Sequence, residues 1–369
     1  MDEVQLAERL IAYDTSRRAG LGLATDFVSG WLEARGARVE RLSLEGRQCL
    51  LAGVGGGDRR ILFHGHLDVV PGLPGQFAPR RSGDRLIGRG AYDMKAALGA
   101  MMLALSDLAA EPPPGLEVAL VIVPDEERAD PGSNCTDMLV EEGLRGDFVI
   151  CGEPTDMQVG VQSKGVLMLK VDVRGVAAHG ATPWLGRSAV LAGVELFRGI
   201  EGLPFAGESS ELFERPSINL GRIQGGDAVN KVPDHCRMDV DIRYLPEQHP
   251  DEVLRQVRGL DPTASVEVLI ERQPAYVSPR HPLVATLLAA AGRQEPTSAA
   301  VGRDGASDAV AFLRAGVPAV EFGPRGAGHH GPDEHVEIAS LARYRAALVD
   351  FIRDAARTPS AEWSAQVPG

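Results

Sequence analysis

No apolar run in this chain reaches the length needed to span a bilayer, and the opening Met1-Asp2-Glu3-Val4-Gln5 lacks the positive charge and long apolar stretch of a secretory leader. A cytoplasmic protein is the expectation. Cysteine is scarce: the four, Cys49, Cys135, Cys151 and Cys236, show no Cys-x-x-Cys spacing, which argues against a disulfide framework and a thiolate zinc site and leaves small core residues. Basic residues are outnumbered, 38 against 51 acidic, and the formal net charge of −13 without a basic cluster argues against nucleic acid and anionic membrane as partners. Internal repeats and low-complexity segments are lacking too.

What remains is a globular chain of 369 residues, 44% of them hydrophobic, long enough for two domains or one large domain with an insertion. Residues 2 to 14 and 21 to 35 have the apolar spacing of amphipathic helices. Apolar runs at 60–66, 116–123 and 147–151 alternate with helical stretches, which predicts an α/β fold: a mainly parallel sheet covered by helices, with functional groups at the strands' carboxyl ends. Near residue 163 the texture changes. Val166 to Gly175 alternates, Gly186 to Ile200 is helical, Ser217 to Gln224 and His235 to Leu245 alternate, Asp251 to Gly259 is helical, and Ser265 to Ile270 alternates again. That β-α-β-β-α-β order predicts an inserted ferredoxin-like α+β unit of about 110 residues. The expected organisation is a discontinuous catalytic domain (1–162 and 275–357), an inserted lid or dimerisation domain (163–274) and a mobile tail (358–369).

Acidic and histidine residues collect at the expected strand ends. Ile61 to Val70 delivers His66-Leu67-Asp68 just before Pro71, a pair in which an imidazole can bind a borderline metal while the aspartate accepts the other ring N–H. Asp93, in Gly88-Arg89-Gly90-Ala91-Tyr92-Asp93-Met94-Lys95, precedes a helix with the apolar stripe Leu98, Met101, Met102, Leu105 and Leu108; a helix-dipole carboxylate is the plain alternative. Asp125-Glu126-Glu127 follows the run Leu116 to Val123, either as a solvated charged turn or as adjacent carboxylates with separate tasks. Glu153 ends the strand Val149 to Cys151 before Pro154, and His329 and His330 lie in a Gly/Pro loop after the run Pro318 to Phe322. Together His66, Asp93, Glu126 with Glu127, Glu153 and His330 offer two imidazoles, three carboxylates and a spare acid. Such nitrogen and oxygen donors suit zinc, or cobalt or manganese, in a pair bridged by one carboxylate.

With these motifs in order, the chain resembles, over nearly its whole length, the zinc amidohydrolase and exopeptidase family of acetylornithine deacetylase, succinyl-diaminopimelate desuccinylase and glutamate carboxypeptidase. The matching segments are His66-Leu67-Asp68, Gly88-Arg89-Gly90 with Asp93-Met94-Lys95, Asp125-Glu126-Glu127, Gly152-Glu153-Pro154-Thr155 and His330-Gly331-Pro332-Asp333-Glu334. The resemblance implies two zinc ions per subunit, bridged by Asp93, one also held by His66 and Glu153, the other by Glu127 and His330. It makes Glu126 the general base, Asp68 the residue that orients His66, and the peptide after Asp93 cis. His179, in Ala177-Ala178-His179-Gly180, would stabilise the oxyanion from a partner subunit, so a homodimer is implied. Asn230 and Arg243 would bind a substrate carboxylate, Arg243 otherwise being an exposed partner of Asp239 and Asp241.

Gly305 and Ser307 belong to Gly305-Ala306-Ser307-Asp308, which departs from the family's Gly-Thr-Ser-Asp at Ala306, and Lys164-Gly165-Val166 stands where diaminopimelate desuccinylases carry Arg-Gly-Ser. The expected activity is metal-dependent hydrolysis of the amide bond of an N-acyl amino acid. A carboxypeptidase or dipeptidase acting on small peptides, and a noncatalytic binding protein on the same fold, are the alternatives.

Overall fold

The computed structural model describes residues 1–127, 134–305, 307–359 and 363. They form two compact units: Met1–Val161 with Val277–Val301 and Ser307–Gly369, and Gln162–Tyr276 with Gly302–Ala306.

In the larger unit the strands Leu116–Val123, Arg59–His66, Phe148–Cys151 and Ala319–Phe322 lie side by side and parallel. From Ile61 to His66, from Val118 to Val123 and throughout the other two strands every residue is buried, as a sheet covered on both faces requires. Antiparallel strands extend the sheet at both sides, Arg47–Gly55 and Arg38–Leu44 beyond one edge and Val159–Ser163 beyond the other. The α/β class with a central parallel sheet is thus borne out.

The helix Lys95–Ala110 is the most buried of the described helices, with all eleven positions from Lys95 to Leu105 buried. It approaches the strand ends closely because two of them carry a glycine there, Gly65 as the last residue but one of its strand and Gly152 just after Cys151. A Cβ on Gly65 would meet the Met94 methyl at 2.5 Å, and one on Gly152 would meet the Met94 and Met101 methyls at 2.6 and 2.8 Å. Each glycine immediately precedes a candidate ligand, His66 or Glu153. Bringing Asp93 over the sheet therefore depends on two missing side chains.

The smaller unit has four antiparallel strands in the order Ser217–Gly225, His235–Tyr244, Gly165–Arg174, Ser265–Arg272, with helices Ala189–Glu201 and Pro250–Leu260. Burial alternates along His235–Tyr244: Cys236, Met238, Val240, Ile242 and Tyr244 face the core while Asp239, Asp241 and Arg243 take the other face. All four cysteines are buried free thiols. Of the segment 358–369, residues 360–362 and 364–369 lie outside the described residues; Trp363 is buried, with the Arg59 guanidinium 4.8 Å from its ring centre. Among the described residues no helix is long and apolar enough to cross a membrane.

Candidate metal centre

Three neighbouring parallel strands each hand on a functional residue where they end. His66 is the last residue of Arg59–His66, Glu126 and Glu127 follow Leu116–Val123, and Glu153 follows Phe148–Cys151. Asp93 stands just before Lys95–Ala110, its peptide to Met94 cis, and His330 lies in the loop between the short strands Gly326–Ala327 and His335–Glu337.

The Asp93 carboxylate sits between the two imidazoles: Oδ1 is 3.2 Å from His66 Nε2, and Oδ2 is 3.4 Å from His330 Nε2. Glu127 Oε1 lies 3.0 Å from the same nitrogen of His330. One donor atom each from His66, Asp93 and Glu127 falls within a 4.8 Å cluster. Glu153 is 7% exposed, and its Oε1 is buried with no hydrogen-bond partner. An orphaned carboxylate oxygen beside a nitrogen and oxygen donor set fits a divalent cation, because burial without a partner is costly for an anion and a cation removes that cost.

His66 Nδ1 lies 2.9 Å from the main-chain carbonyl of Asp68 and 3.5 Å from its carboxylate. The carbonyl is therefore the nearer acceptor for the ring N–H, leaving Nε2 as the ligand atom. The Asp68 carboxylate accepts the N–H groups of Glu126 and Glu127, at 3.2 and 3.0 Å, and so orients the turn carrying both glutamates. Asp125 does something else again: it is 2% exposed, paired with Arg47 at 2.6 Å, and accepts the Cys135 N–H. Asp125 and Glu127 thus face different partners, Arg47 and His330.

Electrostatics follow from burial and pairing. Hydrogen bonds donated to Asp93 and Glu127 raise the His330 pKa from 6.5 to about 10. For His66 burial opposes protonation, but Asp68, Asp93 and the Glu126 charge outweigh it and hold the pKa well above 6.5. Asp93, which burial alone would raise, is held below the usual carboxylate range by those two imidazoles. Glu126 is pushed well above that range by burial and then by Asp308, Asp93 and Glu127; Glu153 rises for the same first reason, reinforced by Glu126 and Asp93.

Most of the other sequence candidates belong to the smaller unit. In the smaller unit His179 and Asn230 are exposed on adjoining loops, joined by the Gly180 N–H donating to the Asn230 carbonyl at 2.7 Å. His179 Nδ1 accepts the Ala181 N–H at 3.0 Å. Arg243 donates to Asp241 through Nε and Nη2 at 2.9 and 3.1 Å. Gly305 is exposed, Ala306 lies outside the described residues, and Ser307 Oγ accepts the Ala309 N–H at 3.3 Å.

Two groups had no assigned part in the sequence reading. Buried His64, its pKa lowered to about 3 by burial, is 2.9 Å from the Thr136 hydroxyl, which donates to Asp308. Arg89 and Glu334 form a buried ion pair at 2.6 Å. A charged residue flanked by glycines and an acid four positions after His330 were the available signals for that pair.

Fold and donor set define a class, an α/β protein with a candidate divalent-cation centre at its strand ends. Comparison with known proteins narrows it. The profile of peptidase family M20/M25/M40 matches residues 62–354. Succinyl-diaminopimelate desuccinylase of Sphingopyxis alaskensis is 30% identical over 371 residues, covering 94% of this chain and 96% of that protein. In fold, the chain is similar to a tripeptidase from Staphylococcus aureus (TM-score 0.79, 20% identity, 96% of this chain and 98% of that one). It is also similar to an M20 family metallo-carboxypeptidase from Sulfolobus solfataricus (TM-score 0.77, 18% identity, 96% and 99% covered). The chain belongs to peptidase family M20/M25/M40, and it is a hydrolase acting on amide bonds. The expected family resemblance and enzyme class are borne out.

Proposed function

We propose that this protein is a dinuclear zinc deacylase that cleaves the amide bond of an N-acyl amino acid, an N-succinyl or N-acetyl substrate above others. The observation that carries this reading is the Asp93 carboxylate, one oxygen toward His66 and the other toward His330. With its two oxygens on different imidazoles it suits a ligand shared by two cations, His66 and Glu153 completing one site and Glu127 and His330 the other. Bound there, zinc would supply Lewis acidity toward the amide carbonyl and toward water. Cobalt or manganese could substitute.

Glu126 takes the proton from the attacking water and returns it to the leaving amine. Glu127, turned toward His330, is left as a ligand. Asp68 serves catalysis by fixing the peptides of both glutamates.

His179 is assigned to the oxyanion. A ring whose Nδ1 accepts a backbone N–H carries its own proton on Nε2, so the outward nitrogen is a donor. We assign this donation to a second copy of the chain, with the smaller unit as lid and dimerisation domain. Its exposed apolar residues support a homodimer: Trp184 is 75% exposed, Leu185 70% and Leu191 66%. Asn230 and Arg243 are assigned to the substrate carboxylate, and Gly305 and Ser307 to other substrate contacts. Full-length desuccinylase relatives at about 30% identity favour a deacylase over a peptidase.

The test is hydrolysis of N-succinyl, N-acetyl and N-formyl amino acids and of dipeptides by chelator-stripped protein, with and without zinc. Zinc-restored cleavage of the acyl amino acids is expected. Preferential cleavage of the dipeptides would replace deacylase by peptidase.

A further inference from the structure

We propose that Arg89 and Glu334 are positioning residues that hold Asp93 and His330 in register, and that they control the affinity of the cation site formed by Glu127 and His330. This rests on the reading of Asp93 and His330 as metal ligands.

Arg89 and Glu334 pair at 2.6 Å with side chains 4% and 1% exposed. A buried ion pair is weak evidence for stability, since desolvation offsets most of the attraction. Its remaining contacts show what else it does. Glu334 Oε1 accepts the N–H groups of Tyr92 and Asp93, at 3.0 and 3.1 Å. Arg89 Nη2 donates to the main-chain carbonyl of His330 at 3.1 Å. One ion pair thus grips the backbones of two ligand-bearing segments far apart in the chain.

His330 needs such a grip. Its φ is 63°, a left-handed conformation that costs a residue with a side chain and persists only where its surroundings impose it. Gln76 holds the next residue, donating through Nε2 to the Gly331 carbonyl at 3.0 Å, and its own carbonyl accepts the Arg89 N–H at 2.8 Å. His66 and Glu153 instead continue directly from strands of the buried sheet. Loosening the pair should therefore affect the His330 side first.

The experiment is titration of metal-free, full-length protein with cobalt(II), followed by visible absorption, for the wild type, Arg89→Lys and Glu334→Gln. The wild type binds two equivalents. Both variants bind the first within a few-fold of wild type and the second about 10- to 100-fold more weakly, as expected for partners that orient ligands. Their metal-free far-UV circular dichroism stays unchanged, and excess cobalt recovers most of kcat. Wild-type affinity for both equivalents in both variants overturns the proposal. If a single variant does not fold, Arg89→Gln with Glu334→Gln removes both buried charges together and must show the same second-site deficit; wild-type affinity there overturns it equally. Failure of the wild type to take two equivalents would instead count against the metal reading itself.

Discussion

The strand ends of the larger unit and the exposed face of the smaller one use similar side chains in opposite ways. In the larger unit His66 is fully buried, Asp68 is 4% exposed and Glu153 is 7% exposed, and the Asp93 carboxylate stands between the imidazoles of His66 and His330. Burial there pushes the Glu126 pKa up, and pairing pushes that of His330 up and that of Asp93 down. In the smaller unit His179 and Asn230 point from exposed loops, and Arg243 is already engaged by Asp241. Such groups acquire their function from whatever approaches them. A site can thus combine a preorganised half, readable from internal geometry, with a half that depends on substrate or a second subunit.

Glu126→Gln strikes the preorganised half hardest. It should retain both cations and lose roughly 10²- to 10⁴-fold in kcat, because it removes proton transfer and no ligand. Metal analysis beside steady-state kinetics checks this, and near-normal turnover would remove Glu126 from the mechanism. His179→Ala strikes the dependent half and should cost about 10²- to 10³-fold in kcat with melting temperature unchanged, since the side chain is exposed. Mixed with Glu126→Gln under subunit exchange, it should regain partial activity. No recovery would confine His179 to its own subunit.

Metal binding should sharpen the comparison through pH. With its pKa raised to about 10, His330 is protonated at pH 8 in the metal-free protein, whereas a ligand must be neutral. Cation affinity should therefore rise with pH, by about tenfold per unit for each proton released, and level off near pH 10. Calorimetry in buffers of different ionisation enthalpy would reveal the proton, and a flat affinity from pH 7 to 9 would contradict the ion-paired His330. The smallest effect is expected for Arg243→Lys, a rise in KM of about tenfold as the guanidinium fork is lost, with kcat little changed. An unaltered KM would leave Arg243 as a partner of Asp241 alone.

Much of the larger unit was legible because its signals are local. Four-to-eight-residue apolar runs followed by a His or an acid announce buried parallel strands, and Ile61 to His66, Leu116 to Val123 and Phe148 to Cys151 read that way. Alternation revealed the smaller sheet equally well. Other features escaped. The hairpin Arg38–Leu44 with Arg47–Gly55 was missed because its outer strand is largely exposed and its apolar residues do not alternate cleanly. Strands of three residues, Arg80–Ser82 and Arg85–Ile87, are too short to carry a period. Long-range partnerships leave no periodic trace, so Arg89 with Glu334, or the Asp68 carboxylate with the N–H groups of Glu126 and Glu127, required coordinates.

The most direct test of the central claim is turnover of an N-succinyl amino acid by chelator-stripped protein as zinc is added in measured equivalents. No activity in the stripped protein, rising to a plateau at two equivalents per chain, is the predicted result. Full activity without metal, or a plateau at one equivalent, would contradict the paired site built on Asp93.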